Sequence, residues 1–95
     1  MLINVFYEDP SDCDLVEIGD HSPQEIEKLQ ASFFKWLFDE NNDHEYWEYR
    51  DGRKFGCAYD AQAFIKWLND TRLEPSARMI KQHTLMDEHY YTICF

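Results

Sequence analysis

Hydrophobic and polar positions alternate or recur along the chain in ways that mark out its elements. Leu2 to Tyr7 is rich in β-branched and aromatic residues and stops at Glu8-Asp9-Pro10, which predicts a strand. Residues 8–14 read as a polar loop, and Leu15 to Ile18 as a short second strand ended by Gly19. Ser22-Pro23-Gln24-Glu25 then supplies an N-cap hydroxyl, a proline at the first helical position and a glutamate at the third, the pattern of a capping box. Ile26, Leu29, Phe33 and Leu37 follow at helical spacing, and Asn41-Asn42-Asp43 is turn chemistry, so the helix should end near Asp39.

His44 to Tyr59 has the form of a hairpin around Asp51-Gly52, a pair suited to a two-residue turn with φ > 0 at both positions. Placing Arg50 opposite Arg53 sets Trp47 over Gly56, Tyr46 opposite Cys57 and Glu48 opposite Phe55. Asp60 can cap a second helix with Ala61, Phe64, Ile65 and Leu68 on its buried stripe, ended by Asn69-Asp70-Thr71. Residues 72–77 are a connection broken by Pro75. Residues 77–83 fit either a strand or a short helix, and His89 to Phe95 is a strand.

The order strand, helix, hairpin, helix, strand is that of a ferredoxin-like βαββαβ sandwich. The expected fold is therefore α+β: one domain over residues 1–95, an antiparallel sheet with both helices on one face. Element order of this kind carries no information about activity.

Composition narrows the class. The chain has 95 residues, 44% hydrophobic and 17% aromatic, a load incompatible with intrinsic disorder. No apolar run is long enough to span a bilayer, and the first residues lack the basic segment and cleavage site of a signal peptide. Three cysteines, Cys13, Cys57 and Cys94, at wide spacing suit a reducing compartment, so the cytoplasm is the expected location.

Charge changes the picture most. The net charge is −10, which disfavours direct binding to nucleic acid or an anionic membrane. Residues 1–48 carry thirteen acids and two bases, whereas residues 49–95 carry six acids and seven bases. Two stretches without Lys or Arg dominate: Glu8, Asp9, Asp12, Asp14, Glu17 and Asp20, then Asp39, Glu40, Asp43, Glu45 and Glu48. Such a density of acids costs stability by self-repulsion, which invites a reason for keeping it: a docking surface or a solubilising face. The expectation is a small acidic interaction protein of inhibitor, immunity or antitoxin type. It would dock a basic protein, such as a nucleic-acid-binding one, through this acidic half, with Trp47 and Tyr49 as anchors.

Other chemistry is weakly signalled. Asp39, Asn41 and Asp43 match the first ligands of a calcium loop, but the sixth position is His44 rather than Gly and the twelfth is Arg50 rather than Glu. His83 and His89 match no closed zinc spacing, so neither a metal nor another cofactor is expected. The chain is read as a non-enzyme. The alternatives are a small thiol- or metal-dependent enzyme centred on Cys57 and His44 with the His83/His89 pair, and a homo-oligomeric module pairing its last strand with a copy of itself.

Overall fold

The computed structural model describes residues 1–71 and 77–95. It is α+β, with eight elements: β1 (Leu2–Phe6), β2 (Cys13–Glu17), α1 (Pro23–Leu37), β3 (Trp47–Arg50), β4 (Arg53–Cys57), α2 (Ala61–Asp70), β5 (Arg78–Thr84) and β6 (Tyr91–Cys94). The connection expected over 72–77 lies almost wholly outside the described residues, and the ambiguous segment after it is a strand.

Four strands form a mixed sheet in the order β5-β2-β1-β6, with β1 antiparallel to β2 and parallel to β6. This corrects the ferredoxin-like order and the all-antiparallel sheet. The chain turns back through Asp9–Asp12 to pair β2 with β1 before the first helix begins, so β2 takes the place that the hairpin was expected to fill. The β3-β4 hairpin forms a sheet of its own. Its strands, Trp-Glu-Tyr-Arg and Arg-Lys-Phe-Gly-Cys, have no fully buried position and cannot serve as covered inner strands.

Both helices start where the sequence places them. Ser22 Oγ accepts from the Glu25 N–H (3.2 Å) while the Glu25 carboxylate accepts from the Ser22 N–H (3.0 Å), and Asp60 Oδ1 accepts from the Ala63 N–H (2.9 Å). Their apolar stripes meet Ile3, Val5, Val16 and Ile93 in one core that includes Ile26, Phe33, Leu37, Phe64 and Leu68. Phe33 is its centre: the rings of Phe34, Trp36, Tyr59, Phe64, Trp67 and Phe95 lie 5.3–6.1 Å from it.

Asn4, between Ile3 and Val5, is also fully buried. Its Nδ2 donates to the Asp87 carbonyl (2.8 Å), the Tyr90 carbonyl (3.3 Å) and Thr92 Oγ1 (3.1 Å), and its Oδ1 accepts from the Asp87 N–H (3.2 Å). One amide thus ties the connection between β5 and β6 to the central strand, as a buried polar group requires.

The hairpin turn is as expected, with positive φ at Asp51 (51°) and Gly52 (75°) and Arg50 opposite Arg53. Beyond Tyr49 the register shifts by one residue, so Trp47 opposes Cys57 and Glu48 opposes Gly56. Phe55 is the extra residue of this bulge and is largely exposed.

Candidate functional site

The first acidic stretch is built around the β1–β2 turn. Asp9 Oδ1 accepts from both the N–H (2.9 Å) and the hydroxyl (2.7 Å) of Ser11, and these bonds hold its carboxyl below the usual range. Asp12 and Asp14 reach across to β5. Asp12 Oδ1 accepts from His83 Nδ1 (2.9 Å), and Asp14 Oδ1 accepts from the His83 backbone N–H (3.1 Å). His83 sits at a register irregularity between β2 and β5 with φ of 53°, a conformation that side chains with a Cβ rarely adopt. The two aspartates are what hold it there. Further along β2, Glu17 pairs with Arg78 (2.9 Å).

The hydrogen bond and the charge of Asp12 raise the His83 pKa above its ordinary 6.5. A group raised on folding stabilises the fold fully below its unfolded value, and that contribution is lost as pH rises through the folded value. Asp12→Asn should therefore lower the His83 titration midpoint toward 6.5, read by NMR of the ring protons. An unchanged midpoint would mean that Asp12 does not carry the interaction.

Beside this turn lies a groove of about 470 Å³. Glu8, Asp9 and Asp12 contribute the acids of its lining; Tyr7, Tyr59 and Phe95 contribute the rings; and Cys57 and Ala58 complete it. Tyr7 stacks on Phe95 (5.5 Å between ring centres, 23° between planes) and meets Tyr59 edge-on (5.6 Å, 71°). The Tyr7 hydroxyl is buried and makes no hydrogen bond among the described residues. Burial first, then the charges of Asp60 and Asp14, push this phenol far above its ordinary pKa.

Two of the five acids of the second stretch, Asp43 and Glu45, are paired with lysines. Lys54 bonds Asp43 and also donates to the Glu40 carbonyl, and Lys66 bonds Glu45 (3.2 Å). Asp39 Oδ1 accepts from the Asn41 N–H (3.0 Å). Glu48 is exposed, as is Tyr49, with 58% of its surface accessible. Trp47 is half-buried: its indole N–H donates to the Asn42 carbonyl, one face stacks on His44 (5.2 Å, 5°), and Lys54 lies 5.0 Å from its ring centre. Its ring is therefore committed to holding the 42–47 segment.

His44 and Cys57 converge on one backbone atom rather than on each other. His44 Nε2 donates to the Leu37 carbonyl (2.8 Å) while its Nδ1 accepts from the Tyr46 N–H (3.2 Å), which fixes the neutral tautomer. The Cys57 thiol donates to the same carbonyl (3.5 Å), and burial followed by the Glu48 charge raises its pKa, with Lys54 opposing. A reactive thiolate needs the opposite shift. His83 and His89 have separate partners, Asp12 and Asp87. A second cleft of about 490 Å³, bounded by Trp36, Tyr46 and Trp67, contains the Glu45–Lys66 pair.

Of the residues singled out in the sequence, Glu8, Asp9 and Asp12 share a groove, and Asp14 stands next to it through His83. Glu17 and the second stretch do not line it. Sequence reasoning missed Asn4, the backbone of His83 and the ring triad Tyr7, Tyr59 and Phe95; a lone Asn between Ile3 and Val5 was the one readable sign. Among the described residues, no helix is long and apolar enough to cross a membrane. Comparison with protein-family models, curated proteins and solved structures finds no match to this chain.

Proposed function

We propose that this chain is a cytoplasmic protein-interaction module of inhibitor, immunity or antitoxin type that docks a basic partner, a nucleic-acid-binding protein being the best chemical fit. The observation that supports this reading most is the grouping of Glu8, Asp9 and Asp12 along one groove whose lining contains no Lys or Arg. Carboxylates on such a surface stand where phosphates would on a nucleic acid, and they steer a basic protein toward it. The second acidic stretch adds less, because none of it lines the groove and Lys54 and Lys66 pair with two of its five acids.

The test is capture of a discrete basic protein by the immobilised chain, compared with a Glu8→Lys variant. Glu8 makes no hydrogen bond or ion pair among the described residues, so its reversal should leave the fold intact. Capture should fall as added salt shortens the screening length from about 10 Å at 0.1 M to about 3 Å at 1 M. The variant should bind about tenfold more weakly. Capture indifferent both to salt and to Glu8→Lys would refute the reading.

One observation favours a second reading. β6, with Tyr91, Thr92 and Ile93, is an edge strand, and such an edge can pair with another copy. The Gln30 side chain already occupies the Cys94 carbonyl (2.6 Å). Self-association would raise the mass in sedimentation equilibrium with concentration; a constant monomer mass dismisses it.

A further inference from the structure

We propose that the groove between the β1–β2 turn and the end of β4 receives an arginine side chain of the partner. This rests on the docking reading and specifies its anchor. A cleft of about 470 Å³ has room for one such side chain. Tyr7, Tyr59 and Phe95 contribute aromatic rings to its lining, with Tyr7 stacked on Phe95 and Tyr59 set across Tyr7. A guanidinium packs against aromatic side chains and is more weakly hydrated than an ammonium, so it leaves water at less cost.

The acids are arranged for a ligand with several planar donors. Asp9 is fixed through Oδ1 by Ser11, and Asp12 through Oδ1 by His83. Among the described residues, the second oxygen of each makes no hydrogen bond, and Glu8 has both oxygens free. Two of the three carboxylates are thus held in place before binding, which lowers the ordering cost of recognition. The Tyr7 hydroxyl is buried beneath this lining without a hydrogen-bond partner among the described residues, and the carboxylates of Asp60 and Asp14 act on it by charge. An anion is repelled here, and a neutral apolar side chain would leave the carboxylates facing it without compensation.

The experiment uses the full chain, isotope-labelled, titrated with acetyl-arginine-amide, acetyl-lysine-amide and the uncharged isostere acetyl-citrulline-amide, with amide shifts read by NMR. Saturable shifts at Glu8, Ala58, Tyr59 and Phe95 are expected with the arginine probe. Citrulline should give none, and lysine should bind at least about threefold more weakly, since it lacks the planar fork. Glu8→Gln should weaken the arginine probe about three- to tenfold, the effect of losing one charge-assisted contact. Silence of the groove amides, an equal response to citrulline or lysine, or indifference to Glu8→Gln would each overturn the assignment. If a basic protein is captured but the arginine probe leaves the groove silent, the anchor is wrong and docking stands. If the probe binds and no partner is captured, the groove assignment stands and the docking reading fails.

Discussion

Phe33→Ala should destabilise the fold by about 3–5 kcal/mol, the usual range for removing a fully buried aromatic ring. Phe33 has no accessible surface, and six aromatic rings close around it, most of them edge-on or tilted. Truncation removes the ring's own burial and leaves a cavity that rigid neighbours cannot fill, because Trp67 and Phe64 are fixed on α2 and Phe95 follows β6. A domain of this size has a total stability of about 5–15 kcal/mol, so the variant should be marginal at room temperature. Urea unfolding followed by tryptophan fluorescence measures it. Phe33→Leu, which keeps most of the volume, should lose much less. A loss below about 1.5 kcal/mol for the alanine variant, the level of a mild core repacking, would mean that the ring cluster is not the core's centre.

The second large effect is expected at Asn4. Asn4→Leu keeps the approximate volume but removes every bond that the amide makes to Asp87, Tyr90 and Thr92. The Asp87 N–H and the Tyr90 carbonyl are then left beside an apolar group, while the Asp87 carbonyl keeps its bond from the Tyr90 N–H; each unsatisfied group costs about 1–3 kcal/mol. The expected loss is about 3 kcal/mol or more, allowing for partial rescue by water. It should be accompanied by faster amide exchange confined to residues 85–92, because the loop has lost its tie to β1. Asn4→Asp should be worse still at neutral pH, since a carboxylate would face the Asp87 and Tyr90 carbonyl oxygens in a buried site. An Asn4→Leu variant with wild-type stability and exchange would refute the role of this amide.

What the sequence disclosed, it disclosed through local chemistry. The capping box at Ser22, the Asp60 cap and the positive-φ turn at Asp51-Gly52 are each written within four residues, and each is found. The two helical stripes are equally local. The sheet was misread because its decisive pairing joins Leu2–Val5 to Asp14–Glu17 through a turn whose polar residues give no pairing signal, and because β6 comes in parallel from the far end of the chain. The hairpin register failed past Tyr49 for a different reason. A bulge at Phe55 costs little where Gly56 follows and the ring can face solvent, so no hydrophobic pattern fixes the pairing there.

The candidate site was legible as charge and not as shape. Density of acids identified Glu8, Asp9 and Asp12, but their usefulness depends on which acids are already neutralised. That is decided by bases distant in sequence: Lys54 for Asp43, Lys66 for Glu45 and Arg78 for Glu17. The rings that wall the groove come from the end of β1, the link from β4 to α2 and the last residue, and no spacing rule joins them. Trp47 illustrates the converse. By composition it resembles an interface anchor; in the fold its ring also stacks on His44, lies beside Lys54 and bonds the Asn42 carbonyl through its N–H, contacts that composition does not show.

Docking at the groove is tested most directly by amide hydrogen exchange of the chain in complex with its captured partner, compared with the free chain. The expected result is new protection at residues 7–12, at residues 57–59 and at Phe95, with the Trp36–Tyr46–Trp67 cleft and the outer edge of β5 unchanged. Protection confined to that cleft or to β5, with the groove residues exchanging as in the free chain, would contradict it.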